Sequence, residues 1–225
     1  LAAEKDYVDY IEIDARMTND GKIVLSHNDQ INISPLSKTS ISNLNYKQIK
    51  NKKLNYQTVI LDESILKSSN INEKELIGKR NLSLTNRTYT IAGLLEGINS
   101  CQDKKILLDL KFNKDVEEFT EELKTELQGI DTTNIIFQSS NLLGILYLQE
   151  HTDYNCLGIL DKKEDLQYTS LFKNVGIRKN LINHETIAKL LDEEKNVAIW
   201  TINTTDELHE VTTELDDLYK DIIYI

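Results

Sequence analysis

This chain contains few cysteines and few glycines. The first shortage argues against cysteine-based metal or redox sites, and the second argues against folds that need a glycine-rich turn. The two cysteines, Cys101 and Cys156, follow no metal-binding or redox spacing, so we expect two buried free thiols, with a disulfide as the alternative. The 8 glycines form no Gly-rich turn after the first predicted strand, which disfavours a Rossmann or flavodoxin-like sheet. The sequence also lacks G-x-S-x-G, P-loop, H-E-x-x-H and C-x-x-C patterns, so serine-hydrolase, nucleotide-dependent and zinc-protease activities have no support.

Basic residues are in deficit, with 26 Lys and Arg against 37 Asp and Glu and a net charge of -11. Proteins that bind nucleic acid gain affinity from basic side chains that displace counterions, so a nucleic-acid partner is not expected. The same acidity disfavours adsorption to anionic lipid but suits a site that collects a divalent cation. No apolar run reaches the roughly 20 residues of a membrane span, so membrane association would need segments outside this chain.

Short apolar runs alternate with helical patterns along an otherwise ordinary globular composition. This alternation predicts a parallel sheet covered by helices. The predicted strands are 8–14, 105–111, 134–138, 155–160, 174–177, 196–202 and 221–225, and residues 22–26 form a hairpin arm after the first of them. The predicted helices are 90–100, 116–128, 141–150, 163–172, 184–194 and 205–219.

These elements predict one α/β domain over residues 1–225, a TIM (β/α)8 barrel. A TIM barrel needs eight strands, so we expect its first strand to lie before Leu1 and its last to be cut off at the chain end. A polar stretch from about 28 to 88 is expected to be an excursion that is mostly loop, with a short helix at 45–52.

Acidic side chains recur on the predicted strands. Glu12 and Asp14 lie two residues apart and therefore point to the same face of the first strand. Asp109 and Lys111 stand in the same relation at the end of the second parallel strand, where TIM-barrel enzymes place catalytic groups. Hard cations prefer carboxylate oxygens, so we predict a metal and phosphate site. The alternatives are salt bridges at the barrel mouth and an internal Asp109–Lys111 pair.

Two further residues are candidates for the same rim. His27 ends the hairpin arm, and imidazole gains and loses a proton near neutral pH, which suits a general acid or base. Trp200, the only tryptophan, lies near the end of a strand, where it either packs in the core or walls a substrate pocket and holds a quaternary ammonium. The remaining histidines fall in or beside predicted helices, and we expect surface or structural roles for His151, His184 and His209.

The segment Tyr10–Gly21, which reads YIEIDARMTNDG, resembles the glycerophosphodiester phosphodiesterase family when taken with Val24-Leu25-Ser26-His27. The resemblance continues through 90–96, 108–111 and 199–203 and spans nearly the whole chain outside 51–87. It implies that residues 51–87 form a variable insertion over the active-site rim. It implies hydrolysis of a glycerophosphodiester to glycerol 3-phosphate and an alcohol with a Ca or Mg ion. It further implies that Glu12, Asp14 and Asp109 are metal ligands. Lys111 would contact the phosphate, and His27 would be one of two catalytic histidines.

Three features depart from the family pattern. The H-R-G motif that carries the other catalytic histidine is absent, and we attribute this to truncation and expect the chain alone to be poorly active. Asn28 stands where Asp usually follows the second histidine, which removes a charge beside His27. Asp109 stands where the third ligand is usually Glu, and spider-venom-type phospholipases D of the same barrel also have D-x-K there.

The departures leave two alternative functions open. One is phospholipase D-type cleavage of lysophospholipids, and the other is a metal-binding domain without turnover. Related bacterial enzymes are cytoplasmic, secreted or fused to membrane helices, so the resemblance leaves open whether this chain is cytoplasmic or held outside the cytoplasm. The head group, the metal, the oligomeric state and the role of 51–87 also stay open.

Overall fold

Twelve strands are present in the computed structural model, which describes residues 9–34, 37–59, 84–101, 104–216, 218 and 222–224. In chain order they are β1 (Tyr10–Met17), β2 (Ile23–Leu25), β3 (Gln30–Ser34), β4 (Ser37–Ser40), β5 (Leu54–Val59), β6 (Leu84–Tyr89), β7 (Lys105–Leu110), β8 (Ile135–Ser139), β9 (Asn155–Leu160), β10 (Asn174–Arg178), β11 (Asn196–Trp200) and β12 (Ile222–Tyr224).

The helices in the described part of the chain fall mainly between the later strands. The α-helices are α1 (Tyr46–Ile49), α2 (Leu94–Ser100), α3 (Val116–Glu126), α4 (Leu142–His151), α5 (His184–Asp192) and α6 (Thr205–Leu215), and 3-10 helices cover Ile41–Asn43, Lys163–Leu171 and Lys179–Leu181. None of the described helices is long and apolar enough to cross a membrane.

The central sheet has eight strands in the order β12-β11-β10-β9-β8-β7-β1-β2. Seven of these strands are parallel, and only β2 is antiparallel to its neighbour β1. From β7 to β12 each strand pairs with the next one in the sequence, and a helical segment intervenes each time. This is the strand order and connectivity of a TIM barrel, with the hairpin arm at 22–26 as an antiparallel addition.

Residues on the two faces of the parallel strands pack into separate cores. On β9, Cys156 and Leu160 face the helical layer and belong to the main hydrophobic cluster. Leu157 and Ile159 face the other way and pack with Ala198, Ile136 and Trp200 inside the barrel. This alternation explains why the predicted strands are apolar almost throughout, since both faces are buried.

The four longer helices that follow β7 each begin with a side-chain cap. A side-chain oxygen of the residue before the helix accepts a backbone N–H of the first turn, which satisfies a donor that has no partner within the helix. The capping residues are Asp115, Asn141, Asn183 and Thr204.

The excursion is more regular than the sequence predicts. Instead of mostly loop it contains two antiparallel strand pairs, β3–β4 and β5–β6, around α1. Widely spaced apolar residues form its core. Because they are sparse in a polar sequence, the strands could not be predicted from periodicity. This second cluster comprises Val24, Ile31, Ile41, Leu44, Ile49, Leu54 and Ile91. Of the predicted insertion at 51–87, residues 60–83 lie outside the described residues.

The Thr18-x-Asp20-Gly21 turn fastens the excursion to the barrel. Asp20 Oδ1 accepts hydrogen bonds from Thr18 Oγ1 at 2.7 Å and from the backbone N–H of Tyr46 at 2.8 Å. Gly21 has φ of 82°, a left-handed conformation that glycine adopts without a steric cost. The motif therefore has a structural role, which is to join the β1–β2 hairpin to the start of α1.

Several predicted boundaries were wrong by a few residues. The helix predicted at 90–100 begins at Leu94, because Gly93 and the residues before it are extended or form a bridge to β2. The strand predicted at 196–202 ends at Trp200, and the helix predicted at 205–219 ends at Leu215, where Asp216 turns to a positive φ of 49°. The 163–172 patch is a 3-10 helix.

The prediction of two buried free thiols is confirmed. Burial raises the pKa of both cysteines, and it raises that of Cys156 to about 12. Neither thiol is therefore ionised near neutral pH, which is typical of structural cysteines in a core.

Candidate active site

Three carboxylates from two neighbouring strands meet at one end of the barrel. Strands β1 and β7 are parallel partners, and their register places Asp14 directly beside Asp109. Glu12 lies two residues before Asp14 and shares its face. One carboxylate oxygen from each of the three side chains lies within 4.8 Å of the others. The structure thus brings together the three acids that the sequence suggested.

Lys111 lies against two of these acids. Its Nζ is 2.5 Å from Asp109 Oδ2 and 3.0 Å from Asp14 Oδ1. The Asp109–Lys111 ion pair expected as an alternative is therefore present, together with a second contact. A single ammonium group balances only part of the charge of three carboxylates, so the pair does not remove the need for a further cation.

The crowding of the acids contributes to shifts in their pKa values. Burial raises the pKa of Asp109 and repulsion from Asp14 adds to the effect, while the hydrogen bond and charge of Lys111 oppose it. Loss of solvent likewise raises the pKa of Glu12, and repulsion from Asp14 and Asp109 reinforces the shift. Burial lowers the pKa of Lys111, but its hydrogen bond to Asp109 and its attraction to Asp109 and Asp14 outweigh this effect, so the pKa is raised.

The donor set fits a hard divalent cation. Asp14 Oδ1 is buried and accepts no well-aligned hydrogen bond, although Lys111 Nζ lies at ion-pair distance from it. A buried acceptor without a hydrogen bond is costly, and a cation would satisfy it. Carboxylate oxygens are the ligands that hard divalent cations prefer.

His27 lies beside the acids because β2 folds back along β1. The backbone N–H of Ser26 donates to the carbonyl oxygen of Asp14 at 2.9 Å, which holds the end of the hairpin arm against the rim. Arg16 donates to the carbonyl oxygens of Ser26, at 3.1 Å from Nε, and of His27, at 2.8 Å from Nη2. The imidazole Nδ1 lies 3.3 Å from Asn28 Oδ1, so the Asn in place of Asp still contacts the ring.

The acids, Lys111 and His27 line one cavity of roughly 330 Å³. Its wall is contributed by six of the parallel strands or the turns that follow them, as expected for the mouth of a barrel. The lining residues are Glu12, Asp14, His27, Asp109, Lys111, Gln138, Ser140, Leu157, Ile159, Asp161, Gly176, Trp200 and Thr201.

Trp200 forms part of the wall that lies away from the acids. It is partly exposed, packs against the inner cluster and lies close to Gly176. The Arg178 guanidinium lies 5.6 Å from the ring centroid and pairs with Asp161 at 2.8 Å. Trp200 therefore packs in the interior and also lines the cavity.

The three histidines that were expected to have surface or structural roles lie away from the cavity. His151, His184 and His209 lie on helices and do not line the cavity. Sequence reasoning missed Gln138 and Arg16. Gln138 shares its strand face with Ile136, and Arg16 lies two residues beyond Asp14 on the same strand.

Comparison with known proteins places this geometry in a family. The model of the glycerophosphoryl diester phosphodiesterase family matches residues 2–216. No match was found among curated protein sequences.

Solved structures share the fold at low sequence identity. A structure from Silicibacter pomeroyi assigned to the glycerophosphoryl diester phosphodiesterases superposes with a TM-score of 0.73 at 15% identity over 96% of this chain and 79% of its own. An Oleispira antarctica phosphodiesterase in complex with the product sn-glycerol-3-phosphate gives 0.66 at 16% identity, with 97% and 81% covered. A Thermotoga maritima glycerophosphodiester phosphodiesterase gives 0.60 at 15% identity, with 95% and 80% covered. The predicted TIM-barrel fold is confirmed.

Proposed function

Because the chain belongs to the glycerophosphoryl diester phosphodiesterase family and is a phosphodiesterase, we propose that it hydrolyses glycerophosphodiesters to glycerol 3-phosphate and an alcohol, using a divalent cation. One observation carries the proposal, the convergence of three carboxylates from two strands in the cavity that also holds His27. The product-bound Oleispira antarctica enzyme, which has the same fold, supports the choice of glycerol 3-phosphate as product.

The cation, Ca or Mg, would be held by Glu12, Asp14 and Asp109. When bound, such an ion polarises the phosphoryl group and orients the substrate. Lys111 brings a positive charge to the same end of the cavity and would contact a phosphate oxygen. Its ammonium group already lies between two carboxylates, so it is held in place before the substrate arrives.

His27 would move a proton during the reaction. Hydrolysis forms a bond from a nucleophilic oxygen to phosphorus and breaks the bond from phosphorus to the alcohol oxygen. The nucleophile must lose a proton and the leaving oxygen must gain one, and imidazole can serve either step. His27 is the histidine that lines the cavity, and its backbone is held by Arg16, so its ring is anchored at the correct end.

The alcohol part of the substrate would lie along the apolar wall. Trp200, Leu157 and Ile159 present carbon surface to the cavity, and an indole ring can also hold a quaternary ammonium such as that of choline. We propose further that residues 1–225 form one barrel domain and that the 51–87 insertion shapes substrate choice.

The test is release of glycerol 3-phosphate from glycerophosphocholine by the full-length protein, titrated against Ca and Mg. We expect turnover to require one of the two ions and to fall about a hundredfold or more in Glu12→Ala, since metal catalysis contributes several kcal/mol. Glu118→Ala, an exposed change on α3, is the matched control and should leave the rate unchanged. Equal rates in the presence of a chelator, or in Glu12→Ala, would remove the metal from the proposal.

A further inference from the structure

Gln138 is a polar side chain that the proposed chemistry does not use. It lies near the end of β8, is only 5% exposed, and lines the cavity. Among the residues that the structure describes, none forms a hydrogen bond with its carboxamide. The carboxamide therefore has its hydrogen-bonding capacity free at the wall of the cavity, where a group of a bound ligand could use it.

The register of the sheet fixes where this ligand group would lie. Gln138 pairs with Asp109 on one side and with Leu157 on the other. Its carboxamide therefore stands between the acidic end of the cavity and the apolar wall. A diester held by its phosphate at the acidic end, with its alcohol against Trp200, would leave the glycerol atoms next to the phosphate within reach of Gln138.

A carboxamide offers two N–H donors and a carbonyl acceptor, so its best partner both accepts and donates. Hydroxyl groups do so, whereas a phosphate diester only accepts and a trimethylammonium group does neither. We infer that Gln138 is a specificity-determining residue that recognises the hydroxyl groups of the glycerol moiety. This inference rests on the proposed function, because it presupposes that the phosphate lies beside Lys111.

The test compares two ligands that differ only in their hydroxyl groups, sn-glycerol 3-phosphate and propyl phosphate. Calorimetry with Ca present measures the affinity of each, and no turnover is required. We expect the wild-type chain to prefer glycerol 3-phosphate by about tenfold, the size of one or two net hydrogen bonds. Gln138→Met, which keeps the length of the side chain, should abolish most of this preference and leave the affinity for propyl phosphate within about twofold.

Matched variants separate the possible roles of the amide. Gln128→Met, an exposed change beyond α3, should keep both affinities, and Lys111→Ala should weaken both ligands alike. An equal loss for both ligands in Gln138→Met would assign the amide to the phosphate and overturn the inference, as would an unchanged preference. A tenfold fall in Ca affinity measured without phosphate would make the amide a cation ligand, which also overturns it.

Two further controls keep the result interpretable. Thermal unfolding checks that Gln138→Met is folded, and Gln138→Ala, for which we expect the same loss of preference, serves as a second variant. Failure of the wild-type chain to bind either phosphate would count against the proposed function itself. Normal wild-type binding with no effect of either variant would count against the role of Gln138 alone.

Discussion

Arg16 should control the position of His27 without contacting the substrate. Its side chain is 14% exposed and donates hydrogen bonds to the carbonyl oxygens of Ser26 and His27. Its Nη1 also lies 4.0 Å from Asp29 Oδ1. Hydrogen bonds from a charged donor contribute about 1.5–3 kcal/mol each, so Arg16→Met should release the 26–28 segment at a cost of roughly 3 kcal/mol.

The kinetic effect follows from this loss of order. A displacement of about 1 Å in a catalytic group costs on the order of a hundredfold in rate, so we expect kcat for glycerophosphocholine to fall 10- to 100-fold in Arg16→Met. KM and Ca affinity should change little, because the acids and Lys111 are untouched. Arg16→Lys should recover part of the rate, since one donor is restored.

The assay is steady-state kinetics with a pH profile for each variant. Lys189→Met, at a side chain that is 76% exposed, is the control and should match the wild type. An Arg16→Met variant with unchanged kcat and pH profile would refute this role of Arg16. A variant whose only defect is weaker Ca binding would refute it as well.

Two predictions concern the core. Gly158→Ala should lower the free energy of unfolding by about 1–3 kcal/mol, because the new Cβ would lie 2.7 Å from a ring carbon of the buried Phe172, and chemical denaturation followed by circular dichroism measures this. Unchanged stability would contradict this prediction, since it would mean that the Phe172 ring moves aside without cost. Cys156, with its pKa raised to about 12 by burial, should stay protonated and resist alkylation at pH 8 in the native protein and react only after unfolding. Rapid labelling of the native protein would contradict this prediction.

The parallel strands were predictable because both of their faces are buried. Apolar runs such as the one at 155–160 leave little doubt about element type, and their alternation with helices fixes the sheet order. The excursion was not predictable in the same way. Its core residues, among them Ile31 and Leu54, are spaced widely in polar sequence, so periodicity gives no signal before the tertiary contacts form.

The candidate site divides along a similar line. Charged residues stand out in the apolar sequence of buried strands. Glu12, Asp14 and Asp109 could therefore be identified from the sequence. The register that sets Asp14 beside Asp109 depends on how the barrel closes, and no local pattern contains it. Gln138 is neutral and Arg16 acts through backbone carbonyls, so their roles appear only when distances are known.

Locating the bound cation is the most direct test of the proposed metal site. Mn²⁺ can stand in for Ca or Mg at an oxygen site, and its anomalous scattering locates it in a crystal without reference to activity. We predict one strong peak in contact with oxygens of Glu12, Asp14 and Asp109, and its loss in Asp109→Asn. A peak elsewhere, or none at saturating Mn²⁺ in crystals where the three carboxylates are ordered, would contradict the proposed metal site.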